Sequence, residues 1–143
     1  MSNPKSASPT LRDAVLQAAA RLDGADLSYG YGTDNALDEA AWLVGHTLGL
    51  ASHELDQHLA RALTAAERKA VTEIIDARIT TRKPAAYLLK EAWFAGLRFY
   101  VDERVIVPRS LMGEFILDAF QPWINAGSVR RVLDLCTGSG CIA

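Results

Sequence analysis

The segment VLDLCTGSGCIA at residues 132–143 constrains the fold of this chain more than any other stretch. The apolar residues Val129, Val132, Leu133 and Leu135, interrupted by Arg130 and Arg131, are typical of a largely buried strand that ends at a turn. Thr137 to Gly140 form a small-residue loop, in which glycines let a ligand approach the main chain. If Cys141 opens a helix, the first amides and the positive dipole end of that helix face the loop. The segment therefore predicts a strand, a nucleotide-type cradle and a helix.

The carboxylate at the tip of the predicted strand indicates which ligand the cradle prefers. Asp134 stands four residues before Gly138, where it disfavours a pyrophosphate by repulsion but can meet an ammonium group or hydroxyls. S-adenosyl-L-methionine has no phosphate and carries a positive sulfonium and an amino group. We therefore predict that it is bound by Asp134, Cys136, Thr137, Gly138, Ser139 and Gly140.

Two alternatives stay open for the glycine loop. Gly138, Gly140 and Ala143 also satisfy the G-x-G-x-x-G/A fingerprint, which would indicate an NAD-binding oxidoreductase. The loop could also be a turn that merely closes a βα unit, since short motifs give false positives.

A metal site and a disulfide framework are not expected. The chain has two cysteines, Cys136 and Cys141, and its histidines His46, His53 and His58 are not in a recognised ligand spacing. We predict reduced thiols and no bound metal.

The start MSNPKSASPT lacks the apolar core of a signal peptide, and no apolar run is long enough to span a membrane. The prediction is a cytoplasmic protein with no membrane partner.

Helical periodicity dominates the first two thirds of the chain. Thr10 and Asp13 form a variant of the capping box for a helix that ends near Gly24. Asp34 or Asn35 caps a second helix, with an apolar stripe of Leu37, Ala40, Ala41, Val44 and Leu48. Thr64 and Glu67 cap a third helix, which runs until Pro84 breaks the pattern. The pattern predicts a small bundle of three helices.

The periodicity then changes to that of strands. Aromatic and β-branched residues from Trp93 to Val107 predict a hairpin that turns at Ala95 and Gly96. Ser110 can cap a further helix that reaches Phe120, before the terminal strand. A buried parallel strand needs neighbours and covering helices, so we expect the α/β domain to be incomplete and this chain to be the front part of a longer protein.

Three segments carry a resemblance to a known family. YGYGTDNALDEA at Tyr29–Ala40, PAAYLLKEAWFAGLRFYVDERVIVPRS at Pro84–Ser110 and VLDLCTGSGCIA at Val132–Ala143 resemble the protein-glutamine N(5)-methyltransferases. Ser110 in VPRS favours the branch that modifies a large-subunit ribosomal protein over the branch that modifies peptide-chain release factors. Leu111 stands where that branch often has proline.

The resemblance implies an α+β protein in several parts. Residues 10–89 would be a helical substrate-recognition domain and 90–109 a β-hairpin connector. Residues 1–9 are predicted to be a flexible leader because they are rich in serine and proline. Residues 110–143 would hold the first βα unit of a Rossmann-like class I methyltransferase domain, which is truncated. An inactive substrate-binding module is the alternative for the chain taken as a fragment.

The implied activity is the S-adenosyl-L-methionine-dependent methylation of a glutamine amide in a large-subunit ribosomal protein. Pro108 and Arg109 would border the substrate cleft, although a strand terminator and a surface cation are the alternative interpretation. The catalytic Asn-Pro-Pro-Tyr motif of the family is not among these residues.

Charge is distributed unevenly along the chain. Residues 10–63 have three arginines against eight carboxylates, a net charge of −5, whereas residues 64–143 have eleven basic and nine acidic side chains. An acidic surface repels nucleic acid and attracts a basic protein. We therefore expect no direct sequence-specific nucleic-acid binding. We predict that the ribosomal protein docks on an acidic surface with Asp23, Asp26, Asp38 and Glu39, although an acidic face that aids only solubility is the alternative.

Overall fold

The computed structural model describes residues 8–143, which form an α+β structure made mostly of helices with one two-stranded antiparallel hairpin. The chain divides into a helical unit, Met1–Leu89, and a second unit, Lys90–Ala143. The elements are α1 Leu11–Asp23, α2 Ala36–Thr47, α3 Ser52–His58, α4 Ala65–Thr81, α5 Ala85–Leu89, β1 Ala92–Phe94, β2 Leu97–Phe99 and α6 Met112–Leu117. A short 3-10 turn follows at Ala126–Ser128.

The predicted capping residues start the long helices. The Thr10 hydroxyl accepts the Asp13 backbone N–H at 3.2 Å, and the Asp13 carboxylate accepts the Thr10 backbone N–H at 2.8 Å. Thr64 and Glu67 repeat this reciprocal arrangement at the start of α4. The Thr64 backbone N–H, together with Arg61, lowers the pKa of Glu67 to about 2. Each box satisfies amides that would otherwise be unpaired at the helix end.

Two short helices were missed by the sequence prediction of three. Helix α3 has no buried residue, so it lacks the apolar stripe that marks a helix in a sequence. It begins where the Glu54 carboxylate accepts the Ala51 backbone N–H at 2.8 Å. Helix α5 follows Pro84, whose carbonyl accepts the Tyr87 backbone N–H at 3.0 Å. The proline that ends one helical pattern therefore also begins the next helix.

The apolar stripe predicted for α2 was partly wrong. Leu37 is exposed, whereas Leu43, which the prediction omitted, is completely buried beside Val44 and Ala40. Asn35 rather than Asp34 caps this helix, because its side chain accepts the Asp38 backbone N–H at 2.9 Å. The buried face thus centres on positions 40, 43, 44 and 36, which follow helical spacing as well as the predicted set does.

The core of the helical unit lies between α1, α2 and α4. Its fully buried members are aliphatic side chains from all three helices, together with Leu63 before α4: Leu11, Leu22, Leu43, Val44, Leu63 and Ile75. Small alanines at 18 and 40 let the helices approach closely. Burial of an aliphatic side chain of this size stabilises the fold by about 1.5–3 kcal/mol, so this cluster is the main source of stability of the unit.

A buried ion pair crosses this core. The Arg78 guanidinium of α4 donates to the Glu39 carboxylate of α2 at 2.7 Å, and the two side chains are 1% and 4% exposed. Arg78 also donates to the Ser28 carbonyl at 3.0 Å, and the Thr33 hydroxyl donates to Glu39 at 3.3 Å. The pair therefore attaches the loop at residues 28–35 to two helices.

Glu39 was expected on the acidic docking surface, and that prediction was wrong. Its carboxylate is enclosed in the core with Arg78, so it contributes no negative charge to the surface. Asp23, Asp26 and Asp38 are exposed as expected. The difference arises because Glu39 lies on the buried side of α2, next to Ala40 and Leu43.

The hairpin was predicted correctly in position but is shorter than expected. Ala92 pairs with Phe99 and Phe94 with Leu97, and Ala95 and Gly96 both adopt positive φ angles, 48° and 77°. Two consecutive positive φ angles are typical of the tight turn that matches the twist of a hairpin.

The second strand ends before the predicted Val107 because a local turn follows it. The Asp102 carbonyl accepts the Val105 backbone N–H at 3.1 Å, and the Asp102 carboxylate accepts from the backbone and side chain of Arg104. Such side-chain bonds to nearby backbone groups compete with pairing in a sheet. Val101 and Val107 are nevertheless buried on either side of this turn.

The predicted helix after Ser110 forms but is short. The Ser110 hydroxyl accepts the Met112 backbone N–H at 3.1 Å, although the residue at the N-cap position is Leu111 rather than Ser110. The helix ends at Leu117 instead of Phe120, because Ala119 and Phe120 adopt left-handed backbone angles.

The terminal strand and helix predicted over residues 129–143 do not form within the described residues. Val132, Leu133 and Leu135 are 84%, 79% and 73% exposed rather than buried, and residues 141–143 are not helical. A strand is stabilised by hydrogen bonds and side chains of a neighbouring strand, and no strand of the described residues pairs with this segment. The local sequence pattern alone is therefore insufficient to form the predicted βα unit.

We predict that Arg78→Met lowers the free energy of unfolding of the helical unit by about 3–5 kcal/mol, because it leaves the Glu39 carboxylate buried without its partner. Urea denaturation followed by helical circular dichroism measures this. The matched control is Lys69→Met, which removes the exposed Lys69–Glu73 pair and should cost about 0.5 kcal/mol or less. Equal losses in the two variants would contradict a stabilising role for the buried contact.

Candidate functional site

The glycine loop of the second unit is a closed turn. The Gly140 backbone N–H donates to the Thr137 carbonyl at 2.9 Å, and the Ala143 N–H donates to the Gly140 carbonyl at 3.3 Å. Gly138 and Gly140 have φ angles of 58° and 76°, which side chains with a Cβ rarely adopt. The predicted small-residue loop is therefore present, with glycines at two positions whose backbone angles favour them.

Cys136 adopts the same left-handed conformation as the two glycines. Its φ angle is 60°, although it carries a side chain, and that side chain is exposed. Every second residue from position 136 to position 140 therefore has a positive φ angle. Non-glycine residues in this region are uncommon and cluster at functional sites.

Asp134 supplies an acceptor that no described residue uses. Its Oδ2 atom is buried and has no hydrogen-bond partner among residues 8–143. The main-chain carbonyl of the same residue accepts the Thr137 hydroxyl at 3.4 Å, which ties the residue to the turn. A buried carboxylate oxygen is normally hydrogen-bonded, so an unused one beside the turn could accept a donor from a ligand.

The VIVPRS segment, residues 105–110, lies against the glycine turn. A Cβ atom placed on Gly138 would lie 3.9 Å from Cγ2 of Ile106, so these two residues are in direct proximity. Ile106 is 57% exposed, Pro108 is buried, and Arg109 is exposed. The structure thus brings the region of the two predicted cleft residues close to the predicted cofactor residues. It also reveals Ile106, which the sequence analysis had grouped with the hairpin.

A compact ionic turn fixes the start of that segment. Arg104 donates to both carboxylate oxygens of Asp102, with a shortest distance of 2.7 Å, and Tyr100 donates to the same group at 3.1 Å. The Arg104 guanidinium therefore holds the pKa of Asp102 well below its usual range. The D-x-R spacing could have predicted this turn, because Asp side chains often bond to the backbone two residues later.

The remaining polar groups do not form a metal centre. Within residues 8–143, no group of three or more His, Cys, Asp or Glu side chains is placed to hold a metal ion. Both cysteines are free thiols, with Cys136 exposed and Cys141 partly exposed. No helix of that part of the chain has the length and apolar character needed to cross a membrane.

The sequence of this chain is similar to a known protein family and to curated bacterial proteins. A family model described as the PrmC N-terminal domain matches residues 13–89. Similar proteins of Burkholderia pseudomallei, Bordetella pertussis and Neisseria meningitidis serogroup A are 52%, 49% and 47% identical to this chain over 135 residues. Each of the three is named ribosomal protein uL3 glutamine methyltransferase.

The similarity extends over both units of the chain. Each alignment covers 94% of this chain but only 44% or 45% of the relative. The chain therefore spans less than half the length of these curated relatives. The matched family model falls within the helical unit, whereas the glycine turn lies outside it.

Proposed function

The chain belongs to the family defined by the PrmC N-terminal domain, and from this premise we propose that it is the front part of a glutamine methyltransferase that acts on ribosomal protein uL3. The observation that carries the proposal is the identity of about one half, along nearly the whole chain, to relatives with that name. The resemblance of the VPRS segment to the ribosomal branch agrees with it. The release-factor alternative has no such support among these relatives.

S-adenosyl-L-methionine is the methyl donor that we propose for this enzyme. The unpaired, buried Oδ2 of Asp134 supports the fit, because it offers a negative acceptor to an amino or hydroxyl group. The positive φ angles of Gly138 and Gly140 support it as well, because a turn without side chains leaves its main chain open to a ligand. An NAD-binding function explains the glycines but not the carboxylate.

The residues of this chain would act by binding and orientation. When bound, the cofactor supplies a methyl group on a positively charged sulfonium. Asp134 and the turn from Cys136 to Gly140 would hold it, while Pro108 and Arg109 would border the cleft that admits the substrate. A glutamine amide nitrogen is a poor nucleophile, since its lone pair is delocalised into the carbonyl. Its reaction therefore depends on accurate placement against the methyl carbon.

We also propose that residues 110–143 start a Rossmann-like domain. The exposed side chains of Val132, Leu133 and Leu135 support this, because such a run is typical of a strand that is covered on both faces. The relatives contain more than half of their length outside the matched region, where the neighbouring strands would lie. Modification of a ribosomal protein also agrees with a cytoplasmic location.

The direct test of this function is methyl transfer in vitro. We expect the full-length enzyme to add one methyl group to a glutamine of purified uL3 when S-adenosyl-L-methionine is present. Tandem mass spectrometry of the digested substrate measures the modification. A peptide-chain release factor serves as the control substrate and should remain unmodified. Methylation of the release factor instead of uL3 would contradict the proposed substrate.

The glycine turn provides a prediction for cofactor binding. In the full-length enzyme, Gly138→Val should weaken S-adenosyl-L-methionine binding at least about tenfold, because a β-branched side chain is strained at a φ of 58° and fills the turn. Isothermal titration calorimetry measures the affinity. Gly49→Val is the matched control, since Gly49 has a φ of 69° with no atom near its Cβ position but lies in the helical unit. Equal affinity in both variants and wild type would reject the cofactor assignment.

The exposed acidic residues provide a prediction for the substrate. Reversal of Asp23, Asp26 and Asp38 to lysine should slow association of the full-length enzyme with uL3 and reduce its dependence on salt, because complementary charges mainly raise association rates. Stopped-flow fluorescence from low to high salt measures this. Reversal of Glu73, Glu114 and Asp118 changes net charge equally outside residues 10–63 and is the control. Identical effects of both sets would show that net charge, not this face, governs docking.

A further inference from the structure

The two cysteines of the chain stand on opposite sides of the glycine turn. Cys136 directly precedes Thr137, and Cys141 directly follows Gly140. Both are free thiols; Cys136 is exposed and Cys141 is partly exposed. The proposed methyl transfer uses neither thiol as a reacting group, so their placement around the same turn requires a separate explanation.

The turn brings the chain back on itself between the two thiols. The hydrogen bond from Gly140 to Thr137 closes a four-residue turn, whose end Cα atoms are within about 7 Å of each other. Cys136 and Cys141 are the residues immediately outside that turn. A disulfide requires Cα atoms about 4.4–6.8 Å apart, and a turn with close ends favours the approach of the two residues that flank it. Glycines at 138 and 140 make backbone adjustments within the turn inexpensive in energy.

We propose that Cys136 and Cys141 form a modification site, at which hydrogen peroxide oxidises the two thiols to a disulfide across the glycine turn. The exposed Cys136 reacts first, since access and thiolate character govern susceptibility to oxidation. Its thiolate attacks one peroxide oxygen; an S–O bond forms, the O–O bond breaks, and hydroxide leaves and takes up the thiol proton as water.

Cys141 then resolves the sulfenic acid. Its thiolate attacks the sulfur of Cys136; the S–S bond forms, the S–O bond breaks, and the second hydroxide leaves as water with the proton of Cys141. Two thiols are oxidised to one disulfide, and one peroxide is reduced to two waters. A thiol reductant reverses the modification.

The consequence of the cross-link rests on the proposed function. A disulfide between residues 136 and 141 fixes the turn that is proposed to hold S-adenosyl-L-methionine and draws two side chains across it. Loss of one main-chain hydrogen bond to the cofactor corresponds to about a tenfold weaker affinity. Oxidation would therefore weaken cofactor binding reversibly.

The disulfide itself is tested on the chain as it stands, without any cofactor. After treatment with hydrogen peroxide, removal of the oxidant and alkylation with iodoacetamide, we expect a monomer that is lighter than the reduced chain by two hydrogens and carries no alkyl group. Dithiothreitol should restore two alkylation sites. In Cys141→Ser, peroxide should instead leave a sulfenic acid at Cys136 that dimedone traps.

Three outcomes would overturn the inference: two thiols that are still alkylated after peroxide, separate oxidation of each thiol to sulfinic acid, or disulfides between two chains. Calorimetry of the full-length enzyme then tests the consequence, with an expected loss of about tenfold in affinity for S-adenosyl-L-methionine that dithiothreitol reverses and that Cys141→Ser does not show. Absence of binding by the reduced enzyme would contradict the proposed function but not the disulfide. Absence of a disulfide in an enzyme that binds the cofactor would contradict only this inference.

Discussion

The buried contact between Glu39 and Arg78 is the interaction on which the arrangement of the helical unit depends. Two opposite charges lie almost completely out of water, where an uncompensated charge would be strongly unfavourable. A register of α2 and α4 that separated the guanidinium from the carboxylate would leave a charge buried without its partner. The surrounding aliphatic core supplies most of the stability, whereas this polar contact restricts the number of ways in which similar helices can pack.

The same contact explains the conformation of the loop before α2. Arg78 donates to the Ser28 carbonyl and Thr33 donates to Glu39, so both ends of the loop are held by one charge pair. The Gly30 backbone N–H donates to the Thr33 carbonyl at 2.7 Å, which closes the loop between these attachment points. Burial raises the pKa of Tyr29, and the nearby Glu39 carboxylate raises it further. The loop before α2 is therefore attached to the ion pair at both ends, although several of its residues are exposed.

The features that could be predicted from the sequence are those that depend on neighbouring residues. The Thr10 and Thr64 caps and the turn at Ala95 and Gly96 are local, and all three form as expected. The burial of Glu39 could not be predicted, because its partner is 39 residues away and an acidic residue on a helix is normally exposed. The strand predicted at residues 129–135 does not form, because a strand needs pairing partners that a local pattern does not contain. The glycine turn forms without that strand, because its hydrogen bond and backbone angles are internal to five residues.

Cys136 departs from the backbone preference that the two glycines of the same turn follow. An L-residue in the left-handed region costs about 1 kcal/mol, and glycine would remove that cost entirely. Gly138 and Gly140 already use this solution in the same turn, whereas position 136 retains a thiol at a φ of 60°. Six other non-glycine residues of the described part of the chain also have positive φ angles, so the backbone of a turn or helix end can impose this conformation without glycine. The Cys136 side chain is exposed, so packing does not account for the thiol, whereas the proposed disulfide would use it.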